Sequence, residues 1–309
     1  GSLDSVTAVA GGVRVRGWSI DPNTVVPTRV HIYIDGRGRD SIAADRPRTD
    51  VARVYTGAGT LHGFDHEVKN VAPGQRRVCV YAIDRGGEGG NTLLGCRTVT
   101  VSANPFGRVD KMAIEYGMLR LRGWAIDPNT NDPIRIHVYA NGKGIASLGA
   151  DRNRPDIGAR YGRGSNHGFD AAIRIPPGVS NVTVFAINKG AGSHTVIGQG
   201  RVSWNGSPVG HLDRVEAVGG GRVRIRGWAM DAETPNPIRV HLYGNGRGLQ
   251  SVAADRERSD LARLGNGTAH GFDTTVTVGA GTHNICAYAI NVGVAGGNVL
   301  LGCKQVTVT

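Results

Sequence analysis

Apolar and polar residues alternate with a period of two in short runs along the chain. In Gly12-Val-Arg-Val-Arg-Gly-Trp18, Val13 and Val15 alternate with Arg14, Arg16 and Trp18. In Arg239-Val-His-Leu-Tyr243, Val240 and Leu242 alternate with Arg239, His241 and Tyr243. Such runs predict antiparallel strands with one packed and one solvated face. Asp-Pro-Asn, Asp-Gly, Asn-Gly and Gly-Gly turns separate them. One segment breaks the period. Asp45-Arg-Pro-Arg-Thr-Asp-Val-Ala-Arg53 has a capping aspartate and a proline near the first turn, predicting a short helical turn capped by Asp45. Its counterparts begin at Asp151 and Asp255.

The pattern repeats three times. Gly1-Ser-Leu-Asp4, Gly107-Arg-Val-Asp110 and Gly210-His-Leu-Asp213 open the copies, and Arg-Gly-Trp follows at Trp18, Trp124 and Trp228. An Arg-x-His-x-Tyr strand comes next in each, and His-Gly-Phe-Asp recurs at 62–65, 167–170 and 270–273. Ala-Ile-Asp84, Ala-Ile-Asn188 and Ala-Ile-Asn291 close the series. About 100 residues carrying about seven short strands predict an all-β chain of three tandem immunoglobulin-like β-sandwich domains. The boundaries read as 1–103, 104–206 and 207–309, with proline-bearing joints at Ser102-Ala-Asn-Pro105 and Asn205-Gly-Ser-Pro208 that favour a semi-rigid string.

Four cysteines fall in the outer units, Cys79 and Cys96 in the first and Cys286 and Cys303 in the third. The middle unit has Thr183 and Gln199 instead, both partners missing together, as a covalent pair predicts. The midpoint of 79 and 96 falls between Gly87 and Glu88, in an evident hairpin loop, so the pair lies on neighbouring strands. Cys79–Cys96 and Cys286–Cys303 are therefore expected disulfides, and they imply an extracytoplasmic, secreted or cell-surface protein. The opening residue stands flush with a repeat, which reads as a mature piece of something longer. No stretch of 18 apolar residues occurs, so no membrane insertion is expected.

These strings together resemble a tandem accessory module of secreted Gram-positive bacterial proteins, of the RGWAxDP…HGFD…YAIN…LGC type. Such modules are appended to cell-wall hydrolases, peptidases and other exported enzymes. The resemblance covers the whole chain three times over and implies an Ig-like fold, an exported location and an attached catalytic domain. It transfers no binding residues. The middle unit departs from it at both cysteines and at Gly198-Gln-Gly-Arg201.

Net charge is +11, distributed as +3, +6 and +2 over the units. The arginines are interleaved with aspartates, as in Asp151-Arg-Asn-Arg-Pro-Asp156, with no basic run, so nucleic acid is not the expected partner. Arginine outnumbers lysine 31 to 5, which a GC-rich coding genome explains as well as function does. The candidate ligand is a cell-wall polymer or other anionic polysaccharide. Aromatic rings stack on sugar faces, and guanidinium forks match carboxylates and phosphates. The candidate binding residues are Arg29, His31 and Tyr33, then Arg135, His137 and Tyr139, then Arg239, His241 and Tyr243. If their strands neighbour those of the Arg-Gly-Trp runs, Arg14, Arg16 and Trp18 share the same face. The alternative places each tryptophan in the sandwich core and pairs the arginines with aspartates, leaving cross-strand aromatic pairs.

Ser41, Ser147 and Ser251 with the histidines and aspartates suggest a hydrolytic triad, but no nucleophile elbow and no His-x-x-x-His pair occurs. No catalysis and no metal are expected. The phenylalanines of His-Gly-Phe-Asp read as core, with His62 and Asp65 bonding loop backbone. Calcium at Asp21-Pro-Asn-Thr24, Asp127-Pro-Asn-Thr130 and Asp231-Ala-Glu-Thr234 is disfavoured by sparse ligand spacing, so no cofactor is expected. The function expected is a non-catalytic, multivalent wall- or polysaccharide-binding module positioning an enzyme. The alternatives are a structural spacer and a protein–protein adhesion module.

Overall fold

The computed structural model describes residues 1–86 and 89–309. The turn expected at Gly87–Glu88 lies outside the described residues. The first unit runs β1 (Ser2–Val9), β2 (Gly12–Trp18), β3 (Arg29–Ile34), β4 (Arg37–Ala43), β5 (Arg46–Pro47), α1 (Thr49–Val54), β6 (Leu61–Lys69), β7 (Gly74–Ile83) and β8 (Thr92–Val101). Its strands form two sheets, ordered β1-β2-β6-β5 and β4-β3-β7-β8. The same succession recurs over 106–204 and 209–308, giving six four-stranded sheets among the described residues. These pair around three hydrophobic cores, so the chain is an all-β tandem of sandwiches. There are eight strands per unit because β5, a two-residue edge carrying Pro47, adds to the seven longer ones.

Alternation explains each core. Val13 and Val15 of β2 face Val30 and Ile32 of β3 and Val78 and Val80 of β7, all fully buried. Each such side chain contributes about 1.5–3 kcal/mol of transfer free energy. Gly17 takes the next inward position on β2. A Cβ there would strike the Ser2 carbonyl and the Phe64 ring, and Gly123 and Gly227 stand in the same relation to Phe169 and Phe272. The glycine of Arg-Gly-Trp and the phenylalanine of His-Gly-Phe-Asp are thus two halves of one packing feature.

Because Gly17 points inward, Trp18 points outward, and it does not enter the inter-sheet core. It stacks on Tyr55, just past α1, at 5.3 Å between ring centroids. In the second unit Trp124 is buried beside Ile157, Tyr161 and Phe106, in a satellite cluster under α2 (Pro155–Tyr161).

The short helices form, but Asp45 does not cap the first. The N-cap is Arg48, without a side-chain cap bond. Arg48 instead donates from Nε and Nη2 to both oxygens of Asp50, at 2.8 and 2.7 Å, and from Nη1 to Asp4 at 2.7 Å. Arg154 holds Asp156 and Asp110, and Arg258 holds Asp260 and Asp213, in the same way. The aspartate of each opening Gly-x-x-Asp therefore ties β1, or its counterpart, to the helical turn. Hydrogen bonding from these arginines lowers Asp50 and Asp156 from 3.8 to about 2. A carboxylate whose folded pKa lies below its unfolded one stabilises the fold above the unfolded value. That contribution is lost as pH falls from about 4 towards 2. Thermal midpoints recorded across this range are expected to drop, and Arg48→Ala is expected to flatten the drop for the first unit.

Both disulfides form, joining Cys79 to Cys96 and Cys286 to Cys303. Each pair lies directly opposite across the last hairpin, where the middle unit sets Thr183 against Gln199.

The joints between units are packed and polar. Arg163, which follows α2 and is only 6% exposed, reaches back to the Val71 carbonyl of the first unit and to Asn131 of its own. Lys69 donates to the Ala159 carbonyl at 2.9 Å, and Arg160 pairs with Glu67 at 3.1 Å. At the second joint Arg174 donates to Asn266 at 2.6 Å and Arg120 to the Arg263 carbonyl at 3.2 Å. Tyr116 meets Trp228 edge-on at 6.3 Å. In both joints the hairpin end of one unit seats on the opening face of the next.

Candidate functional site

Strand β3 buries Val30, Ile32 and Ile34 and turns Arg29, His31 and Tyr33 outward. The other two units repeat this, with Arg135, His137 and Tyr139, and Arg239, His241 and Tyr243, outward on the equivalent strands. The nine candidate residues therefore lie on three equivalent faces. Arg14, Arg16 and Trp18 do not join them, because β2 belongs to the opposite sheet. There Arg14 holds Asp65 through both carboxylate oxygens and Arg16 adds a third contact at 3.1 Å. Arg120, Arg122 and Asp170 repeat the cluster, and Arg224 pairs with Asp273. Asp65 thus serves arginines and not loop backbone, and hydrogen bonding from Arg14 lowers its pKa.

On the β3 face the register sets out rows of side chains. One row is Gly38, Tyr33, Cys79 and Cys96; the next is Ser41, His31, Tyr81 and Leu93. Tyr33 lies beside Gly38 and meets Tyr81 edge-on at 5.4 Å. Tyr139 meets Phe185 at 5.6 Å and Tyr243 meets Tyr288 at 5.5 Å, again edge-on. Beyond each pair an aliphatic residue stands open to solvent, namely Leu93, Val196 or Leu300. In the first unit these groups, with Arg77 and Asn91, line a shallow hollow of about 510 Å³.

The arginine of each stripe is held in place. Arg29 donates to the Ser41 hydroxyl at 3.0 Å and the Ser41 carbonyl at 2.8 Å, and Arg135 and Arg239 treat Ser147 and Ser251 alike. The serines are thus engaged by arginine, which leaves His31 facing Ser41 without a carboxylate behind it. The arrangement offers an apolar aromatic shelf edged by fixed hydrogen-bond donors. The second aromatic and the aliphatic residue were missed from sequence. The outward alternation of Cys79, Tyr81 and Ile83 on β7 was the signal that could have found them.

The histidines of His-Gly-Phe-Asp are structural. His167 and His270, both 1% exposed, meet the carbonyls of Arg163 and Asn266 at 2.9 and 2.8 Å, four residues upstream. Asp21 accepts the N–H groups of Asn23 and Arg85, each at 2.9 Å, which staples the Asp-Pro-Asn turn to the last hairpin and lowers its pKa. Asp127 accepts the N–H groups of Asn129 and Lys189 in the corresponding places of the second unit. Among the described residues no three His, Cys, Asp or Glu side chains converge as a metal site would need.

No family model and no curated protein matches the chain. Among solved structures, fibronectin(III)-like modules of Clostridium thermocellum CbhA align at 15% identity, over 65% of this chain and 92% of theirs, with a TM-score of 0.22. A tetra-tandem repeat from the extending region of a large adhesion protein aligns at 14%, over 100% and 73%, with a TM-score of 0.27. Bacteroides ovatus SGBP-B, solved in complex with a mixed-linkage heptasaccharide, aligns at 12%, over 100% and 67%, with a TM-score of 0.28. Scores this low decide nothing about function, and the sandwich architecture rests on the chain's own sheets and cores.

Proposed function

We propose that the chain is a non-catalytic, exported module that binds cell-wall polymer or a related polysaccharide and holds an attached or partner enzyme near it. One observation carries this reading: the same aromatic shelf, edged by a pinned arginine, a histidine and a serine, is displayed once per unit on the solvated face of a sheet. A sugar ring stacks on tyrosine while its hydroxyls bond the rim, and three linked weak sites gain avidity without new contacts. Two disulfides suit an oxidising exterior. Among the described residues no helix is long and apolar enough to cross a membrane. The packed polar joints favour a second role as a spacer that keeps the three faces in fixed relation, and the two roles are compatible.

Co-sedimentation with purified insoluble cell walls tests the reading. Binding is expected to persist as salt rises, because stacking is little screened. Binding that disappears by moderate salt would reduce it to nonspecific attraction by the +11 charge.

A further inference from the structure

We propose that the glycan bound on the β3 face and its two counterparts is an acidic one, whose carboxylate or phosphodiester groups are received by Arg29, Arg135 and Arg239. Such a ligand narrows the polysaccharide reading above, on which the assignment rests, to charged polymers. Charge is divided unequally between the two sheets of each unit. In the three sheets that display Tyr33, Tyr139 and Tyr243, the strands hold twelve lysines and arginines and a single acid, Asp40. That acid bonds His66 on the opposite sheet at 2.8 Å. The strands of the three opposite sheets hold fourteen lysines and arginines against ten acids. The surplus on the tyrosine-bearing sheets thus equals the whole net charge of +11, and the rest of the chain sums to neutrality. Even the strand ends follow this division. Asp35, held by Arg76, and Asp84 belong to the first unit, and their places are taken by Asn141 and Asn188, then by Asn245 and Asn291.

The arginines of the two sheets also differ in their partners. On the opposite sheets Arg14 and Arg16 share Asp65, Arg120 and Arg122 share Asp170, and Arg224 pairs with Asp273. Arg29, Arg135 and Arg239 are exposed, and among the described residues they pair with no carboxylate. Each is fixed through Nε and Nη2 on a serine, and Nη1 makes no bond among the described residues. A full positive charge and a free donor edge therefore stand in a set position, with no neighbouring acid bonded to them. An anion arriving there gains charge-assisted hydrogen bonds without first ordering the side chain. On the opposite sheets it would have to displace a bonded aspartate. Arg29 lies four residues along β3 from Tyr33, about 13 Å at the rise of a strand. An oligosaccharide laid along the strand stacks on the tyrosine and reaches the arginine with a later acidic group.

Co-sedimentation of the whole chain at low salt with three preparations of purified insoluble cell walls tests this. One is untreated, one is stripped of phosphodiester-linked polymer by hydrofluoric acid, and one has its carboxyl groups amidated with carbodiimide. The parent is expected to lose about tenfold or more in affinity on one of the treated preparations, because three linked rim contacts, each worth a few-fold, multiply. Loss after hydrofluoric acid assigns a phosphodiester, and loss after amidation a carboxylate. A chain carrying Arg29→Gln, Arg135→Gln and Arg239→Gln is expected to bind untreated walls as weakly as the parent binds the neutralised ones, and treatment should weaken it no further. Arg46→Gln, Arg152→Gln and Arg256→Gln remove the same charge from exposed positions on the opposite sheets. That chain is expected to stay within about twofold of the parent, since overall charge gives only weak attraction. Circular dichroism of both variants keeps loss of fold from being read as loss of binding. Equal binding of the parent to all three preparations would overturn the acidic assignment and leave the polysaccharide reading standing. No binding to any preparation would overturn both. Equal losses in the two triple variants would reduce the effect to net charge, and that too would overturn the assignment.

Discussion

Phe169→Ala is expected to destabilise the second unit by about 3–5 kcal/mol. The ring is 3% exposed and fills the space above Gly123, within the core of Leu119, Leu121, Ile136 and Val184. Its removal leaves a cavity that a sheet pinned on both sides cannot collapse to fill. A domain of this size is stable by only about 5–15 kcal/mol, so the loss is a large fraction of the total. The middle unit has no disulfide to limit its unfolded state. Calorimetry should show one of the unfolding transitions falling steeply while the others move little. Gly123→Val should do similar damage from the other side, because any Cβ there meets the Arg108 carbonyl as well as the ring. If Phe169→Ala unfolds within a degree or two of the parent, the pairing of that glycine and phenylalanine does not hold the sandwich together.

The second large effect concerns the staples. Cys286→Ala with Cys303→Ala opens a cross-link spanning 17 residues. Loop-closure entropy for that length is worth about 3 kcal/mol, within the usual 2–4 kcal/mol range. The third unit should then unfold at lower temperature and lower urea. Reductant should reproduce this for the first and third units of the parent together. The middle unit, with Thr183 facing Gln199, should not respond. A middle transition that shifts with reductant as far as the outer ones would show that the units unfold as one body, and that the joints couple them more strongly than their own cores hold them.

Much of the fold is legible from period and repetition. Val13, Val15, Val30 and Ile32 alternate as they must for buried faces, and the joint absence of both cysteines from the middle unit marks a covalent pair. Local chemistry misleads where a longer-range partner wins. Asp45 has the composition of a helix cap, yet Arg48 takes the N-cap position because its guanidinium reaches both Asp50 in the first turn and Asp4 on β1. Trp18 reads as a core tryptophan by size, but parity sends it outward once Gly17 yields the inward place to Phe64.

The candidate site is half legible. The outward set of Arg29, His31 and Tyr33 follows from alternation within one strand. Which strand lies beside it does not, since that depends on how the chain crosses between sheets. The grouping of Arg14, Arg16 and Trp18 with them depended on β2 lying beside β3, and that condition is not met. The true neighbours, Tyr81 and Leu93 on β7 and β8, turn a line of residues into a shelf. The joints were invisible for the same reason, because Arg163 and Val71 are 92 residues apart and meet only through packing.

The central claim is that the three tyrosine-bearing faces act together as a polysaccharide-binding surface. The measurement that meets it most directly is co-sedimentation with purified cell walls at moderate salt, comparing the parent with a chain carrying Tyr33→Ala, Tyr139→Ala and Tyr243→Ala. Retention by the parent and loss of about a hundredfold or more in the triple variant, with each single change costing far less, is the result predicted for linked weak sites. Equal retention of parent and triple variant, with both proteins folded, would contradict it.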